Sequence, residues 1–137
     1  MLVPITSGAY LLTAGSTPQT IAPIEQIVIA IEEPTIEQIV RDATVKYGVS
    51  FDEVWKKMGC ETQWTYDPAM QSKVKYNFSD ARRGIVYGER EKSYGLAQIH
   101  LPDHPETTYE QATDPYYSAD FIAKNWEKHS GWWYCKS

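Results

Sequence analysis

Two cysteines and three histidines are few for 137 residues, and none of them shows the paired spacing of a zinc site. No metal and no cofactor are therefore expected. Long apolar runs are missing too. Nothing approaches the ~20 residues that a membrane-spanning helix needs, so no integral membrane segment is expected. The opening stretch MLVPITSGAYLLTAGS lacks the basic residues of a secretory leader, which leaves it a trimmed signal, a tail or packed structure. Basic charge is absent from residues 1–40, which carry Glu25, Glu32, Glu33 and Glu37. The remainder sets 13 Lys and Arg against the 18 acidic residues less those four. With a net charge of −5, nucleic acid is not an expected partner, because phosphate recognition wants clustered Lys and Arg.

What is present is an ordinary globular composition. At 42% hydrophobic and 23% charged residues, the chain suits one domain with a modest core. All five Trp and nine of the ten Tyr follow residue 40. Part of that is core. The functional alternative is a site for ligands with one apolar and one polar side, such as sugar rings. Cys60 and Cys135 are either two buried thiols or, in an exported protein, a disulfide tying the C-terminal end to the helix of Cys60.

Residues 1–34 are expected to form an N-terminal tail or linker, in part helical, ahead of a domain over 35–137. The pentapeptide IEQIV occurs at Ile24–Val28 and again at Ile36–Val40, too few copies for a solenoid. The second copy opens a helix. Thr35 and Gln38 have capping-box spacing, Ile36, Ile39, Val40, Ala43 and Tyr47 recur at helical intervals, and Gly48 supplies the stop. A second helix follows at once, with Ser50 and Glu53 as its box and Val49 and Val54 as a hydrophobic staple. Its buried stripe runs through Phe51, Val54, Trp55, Met58 and Thr62, so the pair forms an αα-hairpin.

Glu61 closes that second stripe. At ~100° per residue it lies roughly 60° from Met58 and roughly 20° from Val54, on the shoulder between core and water. A carboxyl group there should have a raised pKa and serve as a proton donor near neutral pH. The competing reading is an ion pair with Lys57 on a solvated face. Gly59 leaves room beside it for a close approach.

Residues 66–92 lose the helical period and suggest irregular structure with one small hairpin. Ser93 is expected to cap a short helix through Leu96, Ala97 and Ile99, kept short by Pro102 and Pro105. A further helical turn is expected from Thr108 to Gln111. Asp114 and Pro115 then open a last helix, buried through Ala119, Ile122, Ala123 and Trp126. Helices around a small β-containing insert make an α+β, mainly helical domain with one core.

Glu61-Thr62-Gln63-Trp64 resembles the Glu-Ser-x-Phe motif of the soluble-type (SLT) lytic transglycosylase domain, within the lysozyme-like superfamily. Downstream, Ser93-Tyr94-Gly95-Leu96-Ala97-Gln98-Ile99 resembles that family's Gly-Leu-Met-Gln-Ile motif, with Ala97 in place of Met. Tyr47-Gly48-Val49 ahead of the glutamate helix and the Asp114-Pro115 start agree with it, and the resemblance covers roughly residues 35–135. The later Ala-Tyr-Asn motif is missing, and Tyr116, Tyr117 and Tyr134 are the rings available in its place.

The resemblance implies a lysozyme-like fold and an enzyme that cleaves the β-1,4 bond between N-acetylmuramic acid and N-acetylglucosamine in peptidoglycan. Glu61 would be the single acid/base, and the muramyl 6-hydroxyl the nucleophile, leaving an anhydro end. Ser93, Tyr94, Gly95, Gln98, Tyr116 and Tyr117 would bind substrate. A monomer is expected, and the location of that substrate implies action outside the cytoplasm (periplasm, cell wall or secreted) or delivery with a phage. Two alternatives stay open: a hydrolytic muramidase drawing a second carboxylate from Asp80, Glu89 or Glu91, and a non-catalytic wall-binding or virion-associated module.

Overall fold

Thr35, Ser50, Thr108 and Asp114 each precede a helix, and each accepts a hydrogen bond from the backbone N–H three residues on. These side chains satisfy donors that a helix start leaves unpaired, and so set where each helix begins. In the computed structural model, the residues described are 15, 17–22, 32–78 and 85–133. The chain divides into two units, Met1–Ile31 and Glu32–Ser137. In the first, Gly15 and residues 17–22 are exposed. The first IEQIV copy lies outside the described residues.

The second unit is mixed, mainly helical with a small antiparallel sheet. Helix α1 spans Ile36–Tyr47 and α2 spans Phe51–Glu61, separated by Gly48 in the left-handed region at φ 68°. Strands β1 (Ser93–Tyr94) and β2 (Ile99–His100) follow, then α3 (Tyr109–Thr113), α4 (Pro115–His129) and a 3-10 turn at Ser130–Trp132. Helix α1 packs along α4 and α2. The first two expected capping boxes are half formed. The Gln38 amide turns to Asp42 at 2.8 Å, and the Glu53 carboxylate accepts the Trp126 indole N–H at 3.4 Å. Only Thr108 and Gln111 complete both halves.

The expected stripes are the core. Val40, Val54, Met58, Leu96, Ala97 and Ile122 are fully buried and belong to one cluster with Trp133. Asp120 of α4 adds a polar tie to α1, accepting from Lys46 at 2.5 Å and from the Tyr47 hydroxyl at 2.9 Å. Burial pushes the Asp120 carboxyl up, but those hydrogen bonds outweigh it and hold the pKa below its usual value.

The insert is a hairpin. Ser72 N–H donates to Ser93 O, Glu91 N–H to Val74 O and Tyr76 N–H to Glu89 O, with bridges at Gln71–Tyr94 and Lys75–Arg90. Strand β1 then turns back antiparallel on β2, Ser93 opposite His100 and Tyr94 opposite Ile99. The short helix expected from Ser93 is therefore corrected: residues 95–98 are a tight turn between two strands. Gly95 and Gln98 both take positive φ, 78° and 46°, which a helix does not allow. A side chain on Gly95 would also strike the Ala112 carbonyl, its Cβ only 1.7 Å from that oxygen. Leu96, Ala97 and Ile99 still reach the core, carried by the turn.

Candidate functional site

Glu61 is the last residue of α2, where unpaired carbonyls already disfavour a negative charge. It is half-buried, and its Oε1 is shielded from water with no hydrogen-bond partner among the described residues. Burial is the main cause of a raised Glu61 pKa; the nearby Lys57 charge opposes it and the Glu91 carboxylate adds to it. Lys57 acts only through its field, because no ion pair joins it to Glu61 among the described residues. The shoulder position thus holds a carboxyl group without the ion pair of the competing reading.

The chain after Glu61 is locked. Thr62, fully buried, donates through Oγ1 to Met58 O at 2.8 Å and accepts Tyr66 N–H at 3.1 Å. Gln63, Trp64 and Tyr66 all lie in the left-handed region, at φ 52°, 63° and 50°. Such backbone costs of order 1–3 kcal/mol per residue and persists only where the surroundings enforce it. Here Gly59 is the neighbour that permits it. A Cβ on Gly59 would sit 2.5 Å from the Trp64 ring and from the Tyr66 hydroxyl, so the room left by this glycine is filled by the returning loop. Tyr66 then stacks on Trp55 at 3.9 Å between centroids, while Trp64 stays 61% exposed beside the acid.

Glu91 faces this site from the insert in a polar cradle. Ser72 Oγ donates to its Oε2 at 2.8 Å, and His100 Nδ1 lies 3.7 Å from Oε1. His100 Nδ1 is also 3.0 Å from the Ser93 hydroxyl, so Ser93 is buried in this network and does not cap a helix. Ser72 and His100 were not legible as site residues. They meet Glu91 only through strand register, which leaves no local sequence signal.

The other expected residues scatter over three hollows. Tyr94 lines a groove of about 520 Å³ with Asp67, Lys73, Arg90 and Tyr109. Gln98 lines a cavity of about 350 Å³ with His104, Phe121, Trp132 and Trp133, though its Nε2 is engaged by Gly95 O at 2.8 Å. Tyr117 lines a third, of about 320 Å³, with its hydroxyl 2.9 Å from Thr107 Oγ1. Tyr116 is 57% exposed on the first turn of α4, and Gly95 is buried under α3. Glu61 lines none of the three.

Cys60, next to the acid, is disulfide-bonded; Cys135, the only other cysteine of the chain, lies outside the described residues, as does Tyr134. Among the described residues, no three His, Cys, Asp or Glu come together as a metal-ligand group, and no helix is long and apolar enough to cross a membrane. Beside this geometry, comparison with known proteins adds no relative: no family model, curated protein or solved structure matches the chain.

Proposed function

We propose that this protein is a peptidoglycan lytic transglycosylase with a lysozyme-like domain, and that Glu61 is its acid/base. The observation that carries the reading is the half-buried carboxyl with an unpartnered Oε1 and a raised pKa at the end of α2. Such a group stays protonated further up the pH scale than an ordinary glutamate, as a general acid must. Glu61 gives its proton to the glycosidic oxygen as the bond from C1 to that oxygen breaks. The resulting carboxylate takes the proton of the muramyl 6-hydroxyl as O6 bonds to C1. The products are a 1,6-anhydromuramyl end and a free 4-hydroxyl on N-acetylglucosamine, and Glu61 returns protonated. Because the substrate lies outside the cytoplasm, the protein acts there.

A second reading, hydrolysis by water, draws support from Glu91, held by Ser72 and His100 within electrostatic reach of Glu61. A glycosidase that inverts through water uses such a second carboxylate as base. Incubation with purified peptidoglycan and mass analysis of the fragments separates the two. Anhydro ends are expected; reducing ends would replace the transglycosylase with the hydrolase. No cleavage, with retained binding to sacculi, would leave a wall-binding module.

A further inference from the structure

Two hollows of near-equal size, about 350 and 320 Å³, share one wall made of His104, Phe121 and Trp132. Glu61 lines neither of them. The wall is a packed set of rings. His104 meets Phe121 edge to face at 5.0 Å and Trp132 at 5.2 Å, and Phe121 lies within 28° of parallel to Trp132. His129 stacks on Trp132 at 4.0 Å, which backs the indole while leaving it 49% exposed. Rings held in this way present rigid apolar surface at little cost in side-chain freedom.

The polar groups along both hollows offer acceptors more than donors. Gln98 spends both amide hydrogens, on Gly95 O at 2.8 Å and Met70 O at 3.2 Å, so only its Oε1 is left, to accept. His104 Nδ1 lies 3.3 Å from the Glu106 carboxylate. An ionised carboxylate only accepts, so the neutral imidazole carries its proton on Nδ1 and leaves Nε2 as an acceptor. Asn125 donates to Phe121 O at 2.8 Å and keeps its Oδ1. Carboxylates also prevail over cations. Asp103 lines the first hollow with no Lys or Arg among the described residues, and Glu106 and Asp120 outnumber Lys124 in the second. Spare acceptors and acidic rims disfavour an anion, whereas the hydroxyl donors and flat C–H faces of a pyranose match acceptors and rings together. Two similar hollows on one wall suit a ligand that repeats. We propose that they bind a neutral glycan strand, one sugar ring in each, with Phe121 and Trp132 against the C–H faces and Gln98, His104 and Asn125 accepting from hydroxyl groups. Glu61 contributes no atom to this site, which holds glycan whether or not that carboxyl cleaves it.

The test is an NMR titration of the full chain with chitotetraose, the neutral β-1,4-linked tetramer of N-acetylglucosamine. It is read by backbone amide shifts and by the indole N–H signal that Trp132→Phe removes. That indole signal should shift saturably. Trp132→Ala should weaken binding about tenfold, and Trp132→Phe only about two- to threefold, since the smaller ring keeps part of the flat face. Glu61→Gln should bind with unchanged affinity at the same signals. An indole signal that stays still in the unaltered protein would overturn the proposal, as would an affinity indifferent to Trp132→Ala or a shift that needs Glu61 intact. Saturable shifts with tetramethylammonium chloride and none with the saccharide would overturn it too, and mark a cation site among the rings. Binding at Trp132 without any cleavage of sacculi would sink the catalytic reading alone, since the titration needs no turnover.

Discussion

Replacing Glu61 by Gln keeps the shape of the side chain and removes its charge. Once ionised, the carboxylate is held half out of water, at a helix C-terminus, with one oxygen unpartnered. A buried unsatisfied polar group costs about 1–3 kcal/mol, and partial exposure reduces that to about 1 kcal/mol for the charge itself. Glu61→Gln should therefore be more stable than the parent at pH 7.5, with Tm about 4–8 °C higher for a domain of this size. The sign follows from the raised pKa. Folding costs nothing extra while the acid is protonated in both states, below the ordinary value of 4.5. The cost grows as pH rises through the folded value, so the advantage of the variant should vanish near pH ~4. Release of anhydromuramyl ends should fall at least about 100-fold, the lower end of what general acid–base catalysis contributes. Thermal unfolding at both pH values, with fragment analysis on sacculi, checks both halves. A variant less stable than the parent at pH 7.5, or a Tm difference independent of pH, would refute the reasoning, because it would mean that the carboxylate is well satisfied in the fold.

Glu91→Gln removes the like charge facing Glu61, so the alkaline limb of the pH–activity profile should move to lower pH; a limb that stays put removes Glu91 from the site. Gly59→Ala drives a methyl group into the Trp64 ring and the Tyr66 hydroxyl and should cost about 1–3 kcal/mol, read from urea unfolding, with a shift in tryptophan fluorescence. Asp120→Asn breaks the charge tie from α4 to α1. Because the folded Asp120 pKa is depressed below 3.8, the parent's advantage of about 0.5 kcal/mol should be full near neutrality and disappear as pH falls through that lower value. Parallel melting curves at successive pH values would show it, and a constant gap would contradict the tie.

How much was legible follows the range of each signal. The helices α1, α2 and α4 declare themselves through apolar periodicity and through caps that act over three residues, and all of them are present. Gln38 and Glu53 betray the limit of such local rules, for each abandons its cap to meet Asp42 or Trp126. The segment from Ser93 to Ile99 reads as a short amphipathic helix because its apolar residues do face the core. What makes it a turn is a left-handed Gln98 and a Gly95 pressed on the Ala112 carbonyl, neither of which has a local signature. The same holds at the site. Helical geometry alone sets Glu61 on its shoulder, whereas the cradle of Glu91 depends on Ser72 and His100, brought in by register from either side.

The buried indole N–H of Trp133 donates to the carbonyl of Ala97 at 2.7 Å, and this bond has a consequence for the order of events during synthesis. The hairpin turn beside the candidate site leaves the ribosome 36 residues ahead of the group that fastens it. Until then its carbonyl can be satisfied only by water, so the turn cannot be sealed into the core at a cost below about 1–3 kcal/mol. The wall that carries Gln98 thus closes only when the segment after α4 arrives. Release of that segment by a protease would reopen the same wall in the finished protein.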